Sequence, residues 1–206
     1  MLSPQKRLPI RGFTLTEIAI VLGVIGLIVG GVWFVAGMVR ENARISQAVN
    51  QMNLVGQNMT SMLQGGYNPG LGAGTDITAS MISSQAIPSW ATSPSAPTTQ
   101  AVHPWNEGTT ATTGYHLFWM NSNPRTYRMS FYQVTRTGCV GLITQATGCT
   151  PGQPGCPIDV FVAQSAGTAI SLTPPASALT TNQIQGLCAQ NNYSGGTNSV
   201  EFDFTN

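Results

Sequence analysis

Charge is what this chain has least of. Only 7% of its 206 residues are charged, against roughly 25% in an ordinary soluble domain. Eight Lys and Arg stand against seven Asp and Glu. Three of the eight, Lys6, Arg7 and Arg11, precede Gly12, which leaves five basic against seven acidic residues and a net of −2 beyond that point. No basic stripe remains to follow a phosphate backbone, so nucleic acid is not an expected partner. Histidine is also scarce: His103 and His116 are the two in the chain, and neither has a nucleophile or metal ligand beside it in sequence. There is no G-x-S-x-G, P-loop, H-E-x-x-H or dinucleotide glycine fingerprint. Gly70-Leu71-Gly72-Ala73-Gly74 is glycine-rich but follows a helical segment rather than a strand, which speaks against a phosphate cradle. Asp76, Glu107, Asp159, Glu201 and Asp203 are scattered. Glu201 and Asp203 alternate along one strand face and would suit calcium, yet a solvated face is the better reading. No enzyme activity, cofactor or metal is expected.

Cysteine is absent from the first 138 positions. The four present, Cys139, Cys149, Cys156 and Cys188, lie in the C-terminal third. Zinc would want paired C-x-x-C spacing or nearby histidines, and neither occurs. An even number behind a membrane-targeting segment favours disulfides formed in an oxidising compartment. Four cysteines allow three pairings.

What the chain does have is concentrated near its start. Ile18 to Val39, IAIVLGVIGLIVGGVWFVAGMV, is a run of uncharged residues. As a helix it would extend roughly 33 Å, enough for a hydrocarbon core of ~30 Å. The basic residues before it orient the remainder outside the cytoplasm. A signal anchor would explain that much. So would a cleaved secretory signal ending near Val35-Ala36-Gly37. Neither explains Glu17, a carboxylate at the edge of the apolar run, where an ionised group is costly and usually functional.

The sequence Gly12-Phe13-Thr14-Leu15-Thr16-Glu17, running into that apolar segment behind a short basic leader, resembles the N-terminus of type IV prepilins. The resemblance implies cleavage by prepilin peptidase between Gly12 and Phe13 and N-methylation of Phe13. It implies that Glu17, the fifth residue of the mature chain, is the assembly carboxylate that meets the terminal amine of a neighbouring subunit. Gly26 and Gly30 form a G-x-x-x-G, a weak motif for close helix approach. The clustered glycines would also ease local loss of helix, each by ~1 kcal/mol relative to alanine. Phe34 stands where many type IVa pilins carry a proline.

Beyond Arg40 the helix continues to Gln64, a total of roughly 75 Å from Thr14. Ile45, Ala48, Val49, Met52, Val55, Met59, Met62 and Leu63 recur at the spacing of one buried face. Glu41 and Arg44 are placed to pair one turn apart. Gly65-Gly66-Tyr67-Asn68-Pro69-Gly70 stops the helix. A short helix is expected over 76–84, capped by Thr75 or Asp76, and a long connection over 87–113. His103 there reads as structural. Val102-His103-Pro104-Trp105-Asn106-Glu107-Gly108 loosely resembles the Pro-Trp-Gly-Gly turn of many type IVb pilins. Strands are expected over 115–120 and 126–136, joined by a turn at Asn121-Ser122-Asn123-Pro124, with Tyr127, Met129, Phe131 and Gln133 on one side. A helix over 139–144, strands over 158–163 and 168–172, a helix over 180–190 and a strand over 199–204 complete the reading, with a tight loop over 148–157.

A strand leading into a cysteine-bearing helix, with a late cysteine before a final strand, resembles the type IVb pilin head. That pattern implies the pairs Cys139–Cys188 and Cys149–Cys156. The fold class implied is α+β, the type IV pilin fold: a long N-terminal helix packed on an antiparallel sheet. Residues 1–12 would be a removed leader, 13–64 the long helix with 18–39 as membrane or filament core, and 65–206 the head. The function implied is a major subunit of a type IVb pilus, serving adhesion, aggregation or conjugative contact. Its partners would be identical subunits, prepilin peptidase, the assembly machinery, the bacterial inner membrane before export and a surface receptor on another cell. A type II secretion pseudopilin shares the N-terminus. So does a minor tip pilin, although initiating minor subunits often lack the Glu.

Overall fold

The computed structural model describes residues 14–105, 114–122, 125–146, 157–163, 169–172, 180–189 and 198–205. The chain divides into two compact units, one ending at Arg40 and one beginning at Glu41. One helix, α1 (Leu15–Gln64), runs through 50 residues without a break. Its stretch up to Arg40 belongs to the first unit. There Ile18, Val24, Leu27 and Phe34 are all exposed. By length and composition α1 is able to cross a membrane.

In the second unit α1 presents one buried face. Ile45, Ala48, Met52, Val55, Met59 and Leu63 are buried, as the helical spacing requires, and Val49 and Met62 pack partly against the same cluster. The helix ends in a Schellman arrangement. Gly66 takes φ +90°, its N–H donates to Leu63 O at 3.1 Å, and Tyr67 N–H donates to Met62 O at 3.0 Å. The Arg125 guanidinium donates to Leu63 O as well. It supplies the cation that the last turn of the helix itself lacks.

After α1 come β1 (Thr75–Asp76), α2 (Thr78–Ser83), a 3₁₀ turn (Ser89–Ala91), β2 (Thr92–Ser93), β3 (Ala96–Ala101), β4 (Tyr115–Ser122), β5 (Arg125–Val134), α3 (Arg136–Ala146), β6 (Asp159–Ala163), β7 (Ala169–Leu172), α4 (Thr181–Cys188) and β8 (Asn198–Thr205). The described strands form one antiparallel sheet in the order β2-β3-β4-β5-β8-β6-β7, with β1 paired to β4. Thus β8 lies between β5 and β6 and bonds to both.

Alternation sends Tyr115, Leu117 and Trp119 of β4, Tyr127, Met129 and Phe131 of β5, and Val200, Phe202 and Phe204 of β8 into one core with α1. Tyr127 stacks on Phe204 with centroids 5.2 Å apart. Its hydroxyl reaches Gly56 O at 3.4 Å. Gln51, buried on α1, donates from Nε2 to Val102 O at 2.8 Å. Asn58 Nδ2 donates to Ala86 O at 2.9 Å.

Several expectations change, among them the strand expected over 126–136, which ends at Val134, and the next helix, which begins at Arg136 rather than Cys139. The segment 87–113 contains the 3₁₀ turn, β2 and β3 rather than connection alone. Pro97 is tolerated because β3 bonds to β4 only where Ala101 faces Tyr115. The short helix begins at Thr78 with Ile77 at its N-cap. Asp76 instead belongs to β1, and its carboxylate accepts from Thr78 N–H at 2.8 Å as an Asx-type turn. Gln133 does not continue the apolar face. It takes φ +59° where the β5–β8 register shifts between Phe131 and Val134. Val134 is buried in its place. Of the expected turn Asn121-Ser122-Asn123-Pro124, Asn121 and Ser122 belong to β4, facing Thr126 and Arg125, while Asn123-Pro124 and the loop holding Cys149 and Cys156 lie outside the described residues.

Candidate functional site

Glu17 stands in the first turn of α1. Thr14 precedes the helix, and the two form a reciprocal cap. Thr14 N–H and Thr14 Oγ1–H each donate to Glu17 Oε2 at 2.8 Å, and Glu17 N–H donates to Thr14 Oγ1 at 3.3 Å. A carboxylate here also suits the positive end of the helix dipole. The cap anchors the head of the glutamate side chain, with both described bonds on Oε2. Leu15, Ile18, Val21, Leu22 and Ile25 beside it are all exposed. The arrangement is an acidic cap at the mouth of a bare apolar helix. Gly12 and Phe13, the expected processing junction, lie outside the described residues.

Within the second unit, Glu41 has a role that its sequence spacing does not announce. Arg44 Nη1 lies 3.7 Å from Oε2, the expected pairing one turn away. The stronger bonds go elsewhere. Trp105 Nε1 donates to Glu41 Oε1 at 2.8 Å, and Thr135 Oγ1 donates to the same oxygen. Thr135 also caps α3, since Gly138 N–H donates to its Oγ1 at 3.0 Å. Gly138 leaves room for the Trp105 ring: a Cβ there would lie 2.6 Å from Trp105 Cζ2. One carboxylate therefore joins α1, the segment before β4 and the start of α3. The sole sequence signal was Glu41 itself, one of two acids in α1.

The next residue of α3, Cys139, is joined to Cys188 of α4 in a disulfide, with Cα atoms 5.9 Å apart. This is the pair that the head resemblance implied. The Cys149–Cys156 pair lies outside the described residues. α4 starts on its own capping box, Thr180 with Gln183.

Glu201 and Asp203 do not form a solvated face. Arg128 Nε donates to Asp203 Oδ1 at 2.6 Å, Nη2 to Asp203 Oδ2 at 2.9 Å and Nη1 to Glu201 Oε2 at 2.9 Å. The guanidinium sits 4.3 Å above the Phe161 ring. Burial pushes the Glu201 carboxyl above its ordinary range, and Arg128 only partly counters this. The bonds it donates to Asp203, with the charges of both acids, hold Arg128 above its own usual value despite desolvation. This is an internal ion cluster spanning β5 and β8, with no carboxylate pair left open for a cation.

Both histidines are structural. His103 is buried. Trp105 N–H donates to its Nδ1 at 3.3 Å, so the proton resides on Nε2, which donates to Tyr132 O at 2.6 Å. Burial lowers its pKa to about 4, against the opposing Tyr132 bond. His116 Nδ1 meets Asp76 Oδ2 at 2.8 Å. Burial raises the Asp76 carboxyl, but bonds from His116 and Thr78 outweigh it and hold it below its ordinary value.

No protein-family model matches the chain, and no curated relative does. Among solved structures, it resembles the crystal structure of a type IVb pilin from Salmonella typhi at 14% identity and a TM-score of 0.51, over 78% of this chain and 99% of that one. TcpA, a type IV pilin from the Vibrio cholerae El Tor biotype, aligns at 14% identity and a TM-score of 0.42, over 79% of this chain and 99% of that one. The likeness to the first shows the fold: α+β, a long N-terminal helix with an antiparallel sheet, as in type IV pilins.

Proposed function

We propose that this chain is a prepilin of the type IVb kind, a structural subunit that polymerises into an extracellular filament. The observation that carries this reading is the capped Glu17 at the start of an exposed apolar helix, on a chain whose head has the pilin fold. An exposed apolar surface of that size is unstable in water and is stable in lipid or against copies of itself. The precursor waits in the inner membrane through residues 18–39. Prepilin peptidase cuts between Gly12 and Phe13, and the new amine is methylated. Glu17 of one subunit then meets the amine of Phe13 on the next, which offsets the cost of a carboxylate in an apolar environment. Residues 13–64 form the filament spine and residues 65–206 its outer head. The head presents no catalytic constellation among the described residues, so its work is contact: adhesion, aggregation or conjugation.

The test is a filament preparation sheared from cells. The expected subunit begins at methylated Phe13. A chain cut elsewhere, or found solely as soluble material, overturns the reading. Glu17→Gln keeps an acceptor for the Thr14 cap and removes the charge. It is expected to insert and be processed normally yet yield few or no filaments, read by peptidase cleavage and by recovery in the sheared fraction.

A further inference from the structure

The second unit has a cavity of about 250 Å³ where α1, the 3₁₀ turn and the segment after β3 meet. Trp90 of the 3₁₀ turn forms one wall. Gln47 and Gln51, one turn apart on α1, form another. His103 and Pro104 line it as well, and among the described residues no Asp, Glu, Lys or Arg does.

Backbone bonds hold these walls in place. Ala91 N–H donates to Pro88 O at 2.9 Å, which closes the turn carrying Trp90. Val102 N–H donates to Ala91 O at 2.9 Å, and Gln51 Nε2 donates to Val102 O at 2.8 Å. Gln51 is therefore buried and fixed at its nitrogen, while its Oε1 has no hydrogen bond among the described residues. A buried acceptor without a partner costs free energy until a donor reaches it. Trp90 is 55% exposed, the one exposed aromatic side chain of the second unit among the described residues.

Few ligands suit such walls. An indole face is apolar and electron-rich and attracts a flat array of C–H groups. A primary amide donates and accepts on one side chain, which matches hydroxyl groups that do the same. The uncharged lining gives an ion no counter-charge. An extended proline-rich peptide docks along a groove. This cavity is small beside the ~300–1,000 Å³ of drug-sized ligand sites, so it takes one ring rather than a chain.

We propose that this cavity binds one uncharged hexopyranoside ring, with the C–H face of the sugar on Trp90 and its hydroxyls on Gln47 and Gln51. The proposal rests on the reading of the head as a contact surface and deepens it, since neutral hexoses are what cell-surface glycans present.

The experiment uses the full chain in a phosphocholine detergent, which carries no sugar headgroup. The indole N–H signal of Trp90 and the side-chain amide of Gln51 are followed by NMR. The probes are the methyl pyranosides of galactose, glucose and mannose, with sorbitol as the open-chain control. The expected result is a saturable shift of both signals with at least one glycoside, at a Kd on the order of 1 mM for so small a ligand, and none with sorbitol. The buried Trp119 indole should not move. Trp90→Ala should weaken binding roughly tenfold, read at the Gln51 amide, and Gln47→Ala severalfold. Both side chains are exposed, and an unmoved Trp119 signal with the Cys139–Cys188 bond formed shows that the fold is kept. No shift with any glycoside, or an equal one with sorbitol, refutes the sugar site. Filaments beginning at methylated Phe13 would still stand, because the sheared preparation decides them separately. A shift with decaproline in place of the sugars would assign a peptide groove. A shift that grows with protein concentration alone would assign a second copy. Either of these also refutes the proposal.

Discussion

Trp105 Nε1 donates to Glu41 Oε1 at 2.8 Å across 64 positions of sequence. Thr135 reaches the same oxygen, so the bond closes a three-way junction rather than a simple pair. A hydrogen bond to a charged acceptor contributes about 1.5–3 kcal/mol. Trp105→Phe keeps most of the ring on Gly138 and removes the donor. It should lower head stability by about 2 kcal/mol, measured as a shift of the denaturant midpoint at unchanged slope. Glu41→Gln retains an acceptor and should cost less than Glu41→Ala.

The glycines separate two kinds of constraint. Gly66 has φ +90° and open space where a methyl group would stand, so Gly66→Ala meets backbone strain alone, about 1 kcal/mol. Gly138→Ala would place a Cβ 2.6 Å from the Trp105 ring and 2.9 Å from Thr135 Oγ1. It should cost about 2–3 kcal/mol and weaken the Glu41 junction with it. Paired unfolding curves decide the order, and equal costs would refute the assignment of Trp105 to Gly138.

Much of this was legible in sequence, and the reasons differ by element. α1 could be read because nothing between Thr14 and Gln64 breaks a helix and its second half repeats apolar residues every third or fourth position. β4 and β8 could be read because aromatic and branched residues alternate there. β3 was missed because its residues, Ala-Pro-Thr-Thr-Gln-Ala, bury little. It is a strand because β2 and β4 supply hydrogen-bond partners, not because its own sequence prefers one. Glu17 announced itself through local context. Arg128 could not announce its carboxylates, which lie 73 and 75 positions away. Register alone brings them together.

Arg128 yields its own test. Arg128→Leu leaves Glu201 and Asp203 mostly buried without a counter-charge and should destabilise by about 3–5 kcal/mol. Replacing all three by apolar residues of similar volume should recover most of that loss. If the single variant is as stable as the parent, the cluster contributes nothing to the head.

His103 makes the head sensitive to acid. The unfolded chain takes up a proton near 6.5, and the folded one resists it until about 4. Stability is therefore full above 6.5 and falls as pH drops from 6.5 to about 4, by an order of 3 kcal/mol. The lowered Asp76 carboxyl adds loss in the same direction at still lower pH. Urea midpoints at pH 7, 5 and 4 should show the slope, and His103→Gln should flatten the part between pH 7 and 4.

The position of β8 bears on timing. Its partners in β5 are 75 positions distant at Arg128 and Asp203, and the disulfide bridges a further separation of 49. A sheet whose central pairing is this remote closes slowly, since loop entropy is lost before the contacts repay it. Until it closes, β5 lacks one of its two neighbours and the core lacks Val200, Phe202 and Phe204. Once formed, the Cys139–Cys188 bond leaves the unfolded chain fewer conformations to return to. A core completed by its last strand keeps its aromatic face open until that strand arrives.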